Sequence, residues 1–195
     1  MPKLLIVRHG QSEWIALGRW QGQADPPLSN LGESQARKAS QKLGLFDLIV
    51  SSPLQRAKNT ASIISELMGV GPVATEVGLM ERDAGPWQGL TRIEIENGWP
   101  GFLDSGNRPD GYESNPDLLL RVFKVLKKLS ESSEPSDSIL IISHAGIVHA
   151  LENLHDQPSI KVPNLGGRWV EFVDGELVMG KRISLVTEES MPDLL

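Results

Sequence analysis

Three uninterrupted apolar runs, Leu4-Leu5-Ile6-Val7, Leu48-Ile49-Val50 and Ile139-Leu140-Ile141-Ile142, constrain this chain more than any other feature of it. None alternates with polar residues, so each reads as a strand buried on both faces, the pattern of a parallel sheet covered by helices. Each run stops abruptly at polar residues: Arg8-His9-Gly10, Ser51-Ser52-Pro53 and Ser143-His144. Parallel strands need long crossovers, and the segments between these runs have the length and signals of helices.

Ser29 is placed to cap a helix running to Leu43, with Ala36, Ala39 and Leu43 on one face and Gly44 closing it. Ser52 is expected to cap, and Pro53 to open, a second helix ending at Met68 before Gly69. A short strand is expected at Val73-Ala74-Thr75, then a glycine-containing segment over 78–89, a long loop, and a helix over 118–129. An apolar helix follows His144, Gly166-Gly167 reads as a turn, and Asp174-Gly175 marks a closing hairpin. The expected fold is a three-layer α/β/α arrangement with a mainly parallel central sheet, formed as one domain over residues 1–195.

Composition enters as exclusion. Apolar residues at 39% and charged residues at 23% are those of a soluble globular protein, and no apolar run approaches the roughly 20 residues that cross a bilayer. Only four apolar residues separate Lys3 from Arg8, too few for a signal peptide, so a cytoplasmic location is expected. The absence of cysteine excludes disulfides, thiolate metal sites and cysteine nucleophiles. A net charge of -6 argues against nucleic acid or an anionic membrane as partner. A homodimer is compatible with the sequence and not demanded by it.

Ligands of such sheets bind beyond the carboxyl ends of the strands, and that is where Arg8-His9, Arg56 and His144 fall. Arg56 lies in the first turn of its helix, where the macrodipole disfavours a cation unless an anion is bound beside it. Arginine presents a fork that phosphate oxygens accept in pairs, so Arg8 and Arg56 together suit a phosphoryl group. With no cysteine, a neutral imidazole of His9 or His144 is the available nucleophile, and His9, beside Arg8, is the better placed. Glu81 is the carboxyl expected to protonate the leaving alkoxide, with Asp83 competing. The four histidines lack ligand spacing with carboxylates, and two arginines would repel a cation, so no metal and no cofactor is expected.

With their flanks, these residues resemble the histidine phosphatase superfamily, the phosphoglycerate-mutase-like group, over essentially the whole chain. The resemblance is carried by Arg8-His9-Gly10-Gln11-Ser12-Glu13-Trp14, by Gly18-Arg19-Trp20-Gln21-Gly22 with Asp25-Pro26-Pro27-Leu28-Ser29, and by Gly32 and Gln35-Ala36. It continues through Ser51-Ser52-Pro53-Leu54-Gln55-Arg56-Ala57, Leu79-Met80-Glu81 with Gly85, Trp87 and Gly89, and Ser143-His144-Ala145-Gly146. It implies a phosphohistidine on His9, a pocket of Arg8, Arg56 and His144 around the phosphoryl group, and Glu81 as proton donor and later base. Gln21, Gly22 and Ala145 are implied as further substrate contacts. The family signature often places a phosphate-touching asparagine after the tryptophan, and here that position is Ile15.

The resemblance implies a small-molecule phosphatase, acting on a small phosphorylated metabolite such as a sugar phosphate or phosphoglycerate derivative. Mutases of the group usually carry an insertion and tail that shield the intermediate from water, for which 195 residues leave little room. A mutase, or a phospho-ligand-binding member with impaired catalysis, is the alternative. Gly111-Tyr112-Glu113-Ser114 resembles a stretch of the small-molecule phosphatases and is expected to border the pocket. Trp99, Phe102 and Tyr112 belong either to a lid or to packing over the sheet edge. His149 is expected to be structural.

Overall fold

The computed structural model describes residues 1–158 and 160–186. Its centre is a six-stranded sheet in the order β3-β2-β4-β1-β5-β6. The strands are β1 (Lys3–Arg8), β2 (Leu48–Ser51), β3 (Ala74–Thr75), β4 (Ser138–Ser143), β5 (Gly166–Val173) and β6 (Glu176–Ser184). Pairs β1–β4, β2–β4 and β2–β3 are parallel, whereas β1–β5 and β5–β6 are antiparallel.

Alternation along the buried strands feeds two separate cores. Leu4, Ile6, Val50, Ile139 and Ile141 face one side, under α6 (Asn115–Glu131) and α7 (Ala145–Leu154). Leu5, Val7, Ile49, Leu140 and Ile142 face the other, under α2 (Asn30–Ser40) and α3 (Gln55–Met68). This is the expected three-layer α/β/α architecture, with an apolar face on each side of the sheet. Among the described residues no helix is long and apolar enough to cross a membrane.

Local differences from expectation have local causes. Ser29 caps α2 through the Gly32 N–H, but the helix ends at Ser40, and Leu43 lies just beyond it. Helix α3 starts at Gln55, not Pro53: Leu54 holds the cap position with no side-chain bond, and Asp25 Oδ1 accepts from the Gln55 N–H at 2.6 Å instead. Helix α6 begins earlier than expected, capped by Ser114 at the Asp117 N–H. Gly166-Gly167 opens β5 and is not a turn, because Gly167 pairs with Val7 so closely that a Cβ there would meet the Ile6 carbonyl at 2.1 Å. The hairpin turns at Asp174-Gly175 as expected, both with positive φ (51° and 85°).

Part of the expected long loop is helical. Helix α4 (Arg92–Gly98) starts at a capping box between Thr91 and Glu94, and the single turn α5 (Phe102–Ser105) follows. Both pack with Trp20, Trp99 and Tyr112 around the fully buried Trp87, whose ring centroid lies 5.1 to 6.3 Å from those three. The aromatic residues of the loop therefore belong to a third small core, from which Tyr112 also reaches the cavity described below.

Candidate active site

Strand register brings the site together. Arg8 pairs with Ser143 and Ser51 with Ile142, so His9, His144 and Ser52 emerge side by side at the carboxyl edge of three parallel strands. The loop leaving β1 turns back against α1 (Glu13–Ala16) and the start of α2. Gly32 permits this approach, since a Cβ there would meet the Gln11 carbonyl at 2.0 Å.

The His9 ring is 2% exposed and donates from Nδ1 to the Gly10 carbonyl at 2.6 Å. That bond selects the tautomer with a lone pair on Nε2, and Nε2 accepts from Arg56 Nε at 3.2 Å. Burial, and then the charges of Arg56 and Arg8, hold this imidazole well below its ordinary range against the Gly10 bond. A neutral ring with an available Nε2 has the form a nucleophile requires.

Arg56 is fully buried and also donates to the carbonyls of Ala24 and Gly22, each at 2.7 Å. Burial lowers its pKa to about 10, against the pull of Glu81 and Asp25. Gly22 has φ of 51°, and a Cβ on it would meet Gln88 Oε1 at 2.6 Å. Gln21 Oε1 accepts from Ser12 Oγ. Arg8 is 7% exposed and donates from Nη1 to the Val162 carbonyl at 2.7 Å.

His144 packs edge-on against His9 with ring centroids 5.1 Å apart, and its Nε2 is hydrogen-bonded to Ser52 Oγ at 2.9 Å. Ser52 thus serves the imidazole rather than its own helix as the main cap. Burial first, then the charges of Arg56, keep His144 well below its ordinary range as well. Its Nδ1 is buried with no hydrogen-bond partner among the described residues.

Glu81 follows a 3-10 turn (Val77–Leu79) and lies against the amino end of α7, where its Oε2 accepts from the Gly146 N–H at 3.1 Å. Oε1 accepts from the Arg82 N–H at 2.7 Å. A carboxylate fits this helix end because the first amides are unpaired and the dipole is positive there. The competing Asp83 turns away, its Oδ1 accepting from the Gly85 N–H.

These groups surround a cavity of about 470 Å³ lined by Arg8, His9, Gln21, Gly22, Glu81 and Ala145 among the expected residues. Arg56 and His144 are fully buried and reach it through His9. The wall also contains Trp20, Arg82, Tyr112, His149, Lys161 and Val162. His149 was expected to be structural, but one helical turn places it beside Ala145 and Gly146, which a spacing argument on α7 could have found. Lys161 and Val162 come from a distant loop and carry no local signal. Ile15 is buried at 2% exposure, its N–H bound by Ser12 Oγ, and the wall residues above do not include it. Among the described residues no group of three or more histidine or carboxylate side chains could hold a metal ion.

Comparisons with known proteins bear on the family and the fold. The sequence pattern of the histidine phosphatase superfamily (branch 1) matches residues 4–175. Glucosyl-3-phosphoglycerate phosphatase of Mycobacterium tuberculosis is 36% identical over 180 residues, covering 85% of this chain and 80% of that protein. The metal-independent phosphoserine phosphatase of Arabidopsis thaliana is 31% identical over 161 residues, covering 77% and 67%. The solved structure of the mycobacterial glucosyl-3-phosphoglycerate phosphatase in complex with VO3 superposes with a TM-score of 0.82 at 31% identity, over 92% of this chain and 97% of that one. A match across nearly the whole sequence, with the same sheet beneath it, makes this chain a member of the histidine phosphatase superfamily.

Proposed function

We propose that this chain is a cytoplasmic, metal-independent phosphatase that hydrolyses small-molecule phosphate monoesters through a phosphohistidine on His9, with residues 1–195 acting as one domain. The observation that carries the reading is the neutral His9 ring, held by the Gly10 carbonyl with its Nε2 toward Arg56. Relatives named as phosphatases of glucosyl-3-phosphoglycerate and of phosphoserine support a substrate among small phosphorylated metabolites.

In the first step His9 Nε2 attacks phosphorus, the bond from phosphorus to the ester oxygen breaks, and Glu81 gives its proton to the departing oxygen. Arg56 and Arg8 meet the equatorial oxygens, so the Arg56 N–H that rests on Nε2 moves to a phosphoryl oxygen. In the second step the Glu81 carboxylate takes a proton from water, which attacks phosphorus and breaks the bond to Nε2. Inorganic phosphate leaves and His9 returns to its neutral form. The buried His144 Nδ1, which has no hydrogen-bond partner among the described residues, is the kind of group that a bound phosphate oxygen satisfies.

Hydrolysis of an aryl phosphate and of phosphorylated metabolites, with and without chelator, tests this against His9→Ala. Chelator-resistant turnover, an acid-labile phosphoenzyme, and loss of both in the variant are expected. Phosphate transfer between metabolites without release to water would instead make the protein a mutase, and phosphate binding without turnover would make it a binding protein.

A further inference from the structure

Apart from its short 3-10 turn, the loop that carries Glu81 is irregular, and much of its position comes from one side chain on the neighbouring helix. Arg121 of α6 donates from Nη1 to the carbonyls of Gly78 (2.9 Å) and Met80 (2.6 Å), and from Nη2 to the carbonyl of Glu81 itself (2.9 Å). Its Nε and Nη2 also donate to Oε1 and Oε2 of Glu113, at 2.7 and 2.8 Å. Glu113 closes the ring from the other side. Its Oε2 accepts from the Asp83 N–H at 3.0 Å, its N–H donates to the Asp83 carbonyl at 2.9 Å, and its carbonyl accepts from Arg82 Nη1 at 2.8 Å. Residues on both sides of Glu81 are therefore tied to a single, largely buried ion pair, whose side chains are 23% and 14% exposed.

An ion pair at a surface contributes little by itself. This one differs in where its remaining hydrogen bonds go. Three of the N–H contacts of Arg121 fall on carbonyls within four residues of chain, ending at Glu81, a geometry that only a planar guanidinium supplies. Neither Arg121 nor Glu113 lines the cavity beside His9, whereas Glu81 and Arg82 do, so the pair acts through the acid loop and not on the phosphoryl group.

We infer that Arg121 and Glu113 are positioning residues for the proton-donating step, holding Glu81 at the distance from the ester oxygen that protonation requires. This rests on Glu81 being the general acid. Protonation matters in proportion to the basicity of the departing oxygen, so the pair governs turnover of alkyl phosphates and matters little for aryl phosphates whose phenolate leaves unaided.

The test is a series of phosphate monoesters graded by the acidity of the leaving alcohol, from an alkyl phosphate to 2,4-dinitrophenyl phosphate. It compares the native chain with Arg121→Met, Arg121→Lys, Glu113→Gln and Glu81→Ala. For Arg121→Met the alkyl phosphate should lose about a hundredfold in kcat/KM while the dinitrophenyl ester loses far less, the scale of a misplaced catalytic group. Arg121→Lys should recover little, because an ammonium cannot reach three carbonyls and a carboxylate together. If Arg121→Met does not fold, Glu113→Gln, which keeps the volume and removes the charge, should show the same leaving-group dependence in weaker form.

Equal losses on all esters would overturn the inference, since a general structural or electrostatic defect slows every substrate alike. If Glu81→Ala shows the leaving-group dependence and the clamp variants do not, the acid assignment stands and the positioning role falls. If Glu81→Ala slows no ester, the acid assignment itself fails and the positioning role with it.

Discussion

Arg56 Nε lies 3.2 Å from His9 Nε2, so the nitrogen proposed as the nucleophile is hydrogen-bonded to the guanidinium proposed to bind the phosphate. This contact holds the imidazole in place, and in the proposed reaction it is exchanged for a phosphoryl oxygen when substrate binds. It depends on a side chain that reaches His9 with Nε while its two terminal nitrogens hold the Ala24 and Gly22 carbonyls.

Arg56→Lys is therefore not a conservative change. An ammonium keeps the charge but satisfies only part of three divergent acceptors, leaving buried carbonyls unpaired at about 1–3 kcal/mol each. The expected outcome is a loss of at least about a hundredfold in kcat/KM, the range for removing one preorganised donor. Steady-state kinetics on an aryl phosphate checks it, and a variant within a few-fold of native turnover would show that Arg56 serves packing alone.

A second prediction concerns stability and pH. His9 and His144, and to a lesser degree the half-buried His149, have pKa values depressed below their unfolded values, burial being the first cause in each. Below about pH 6.5 the unfolded chain takes up protons that the folded chain refuses, so folding stability falls as the pH falls. Above that value all three rings are neutral in both states and the effect is fully absent. Each fully refused proton steepens the dependence by about 1.4 kcal/mol per pH unit. The carboxylates with depressed values, Glu94, Glu113 and Glu152, act near pH 4.5 and lower. Urea unfolding between pH 7.5 and 5.5 therefore isolates the histidines, and His144→Gln should flatten the slope. A native stability that is flat over this range would contradict the buried, neutral assignment.

Much of this site was legible because parallel strands announce themselves. A buried strand is an apolar run with sharp polar punctuation, and the punctuating residues Arg8-His9, Ser51-Ser52 and Ser143-His144 are the ones that register brings together. Helix α4 was legible too, in the capping box Thr91-Arg92-Ile93-Glu94, but the glycine and proline residues around it favoured a loop reading. Ser52 was misjudged for a different reason. A serine before a helix is a good cap by local rules, while its partner here is an imidazole 92 positions away. Glu113 was singled out only within a stretch expected to border the pocket, of which Tyr112 alone does, and Arg121 was out of reach: an arginine on an amphipathic helix looks solvated until the chain 43 residues earlier folds against it.

Glu152 shows what a charge inside the fold contributes. It is fully buried on α7, where its carboxylate receives Arg182 at 2.7 Å on each oxygen and Arg168 at 3.0 Å, joining the helix to the β5–β6 hairpin. Glu152→Ala removes the counter-charge of two guanidinium groups whose side chains are only 12% and 26% exposed, leaving them only neutral acceptors on Gln157, Gly180, Ile160 and Lys161. Removing one member of such a cluster costs roughly 3–5 kcal/mol. Denaturant unfolding should show that loss. A change below about 1 kcal/mol, the range of a solvated pair, would mean that the arginines find water or other acceptors instead.

Gly146 gives the sharpest separation of fold from chemistry. It is the second residue of α7, in ordinary helical backbone, and alanine there is preferred over glycine by about 1 kcal/mol on propensity alone. Yet a Cβ at this position would lie 2.2 Å from Glu81 Oε1 and 3.0 Å from its Cδ, so the carboxylate could not keep its place. Gly146→Ala should accordingly fold with a melting temperature close to or above the native one while losing about a hundredfold in alkyl phosphate turnover, the scale of a displaced catalytic group. Phosphate affinity should survive, because Arg8, Arg56 and His9 are untouched. Thermal unfolding, phosphate titration and kinetics on one preparation decide it: full activity in the alanine variant would show that Glu81 does its work from another position.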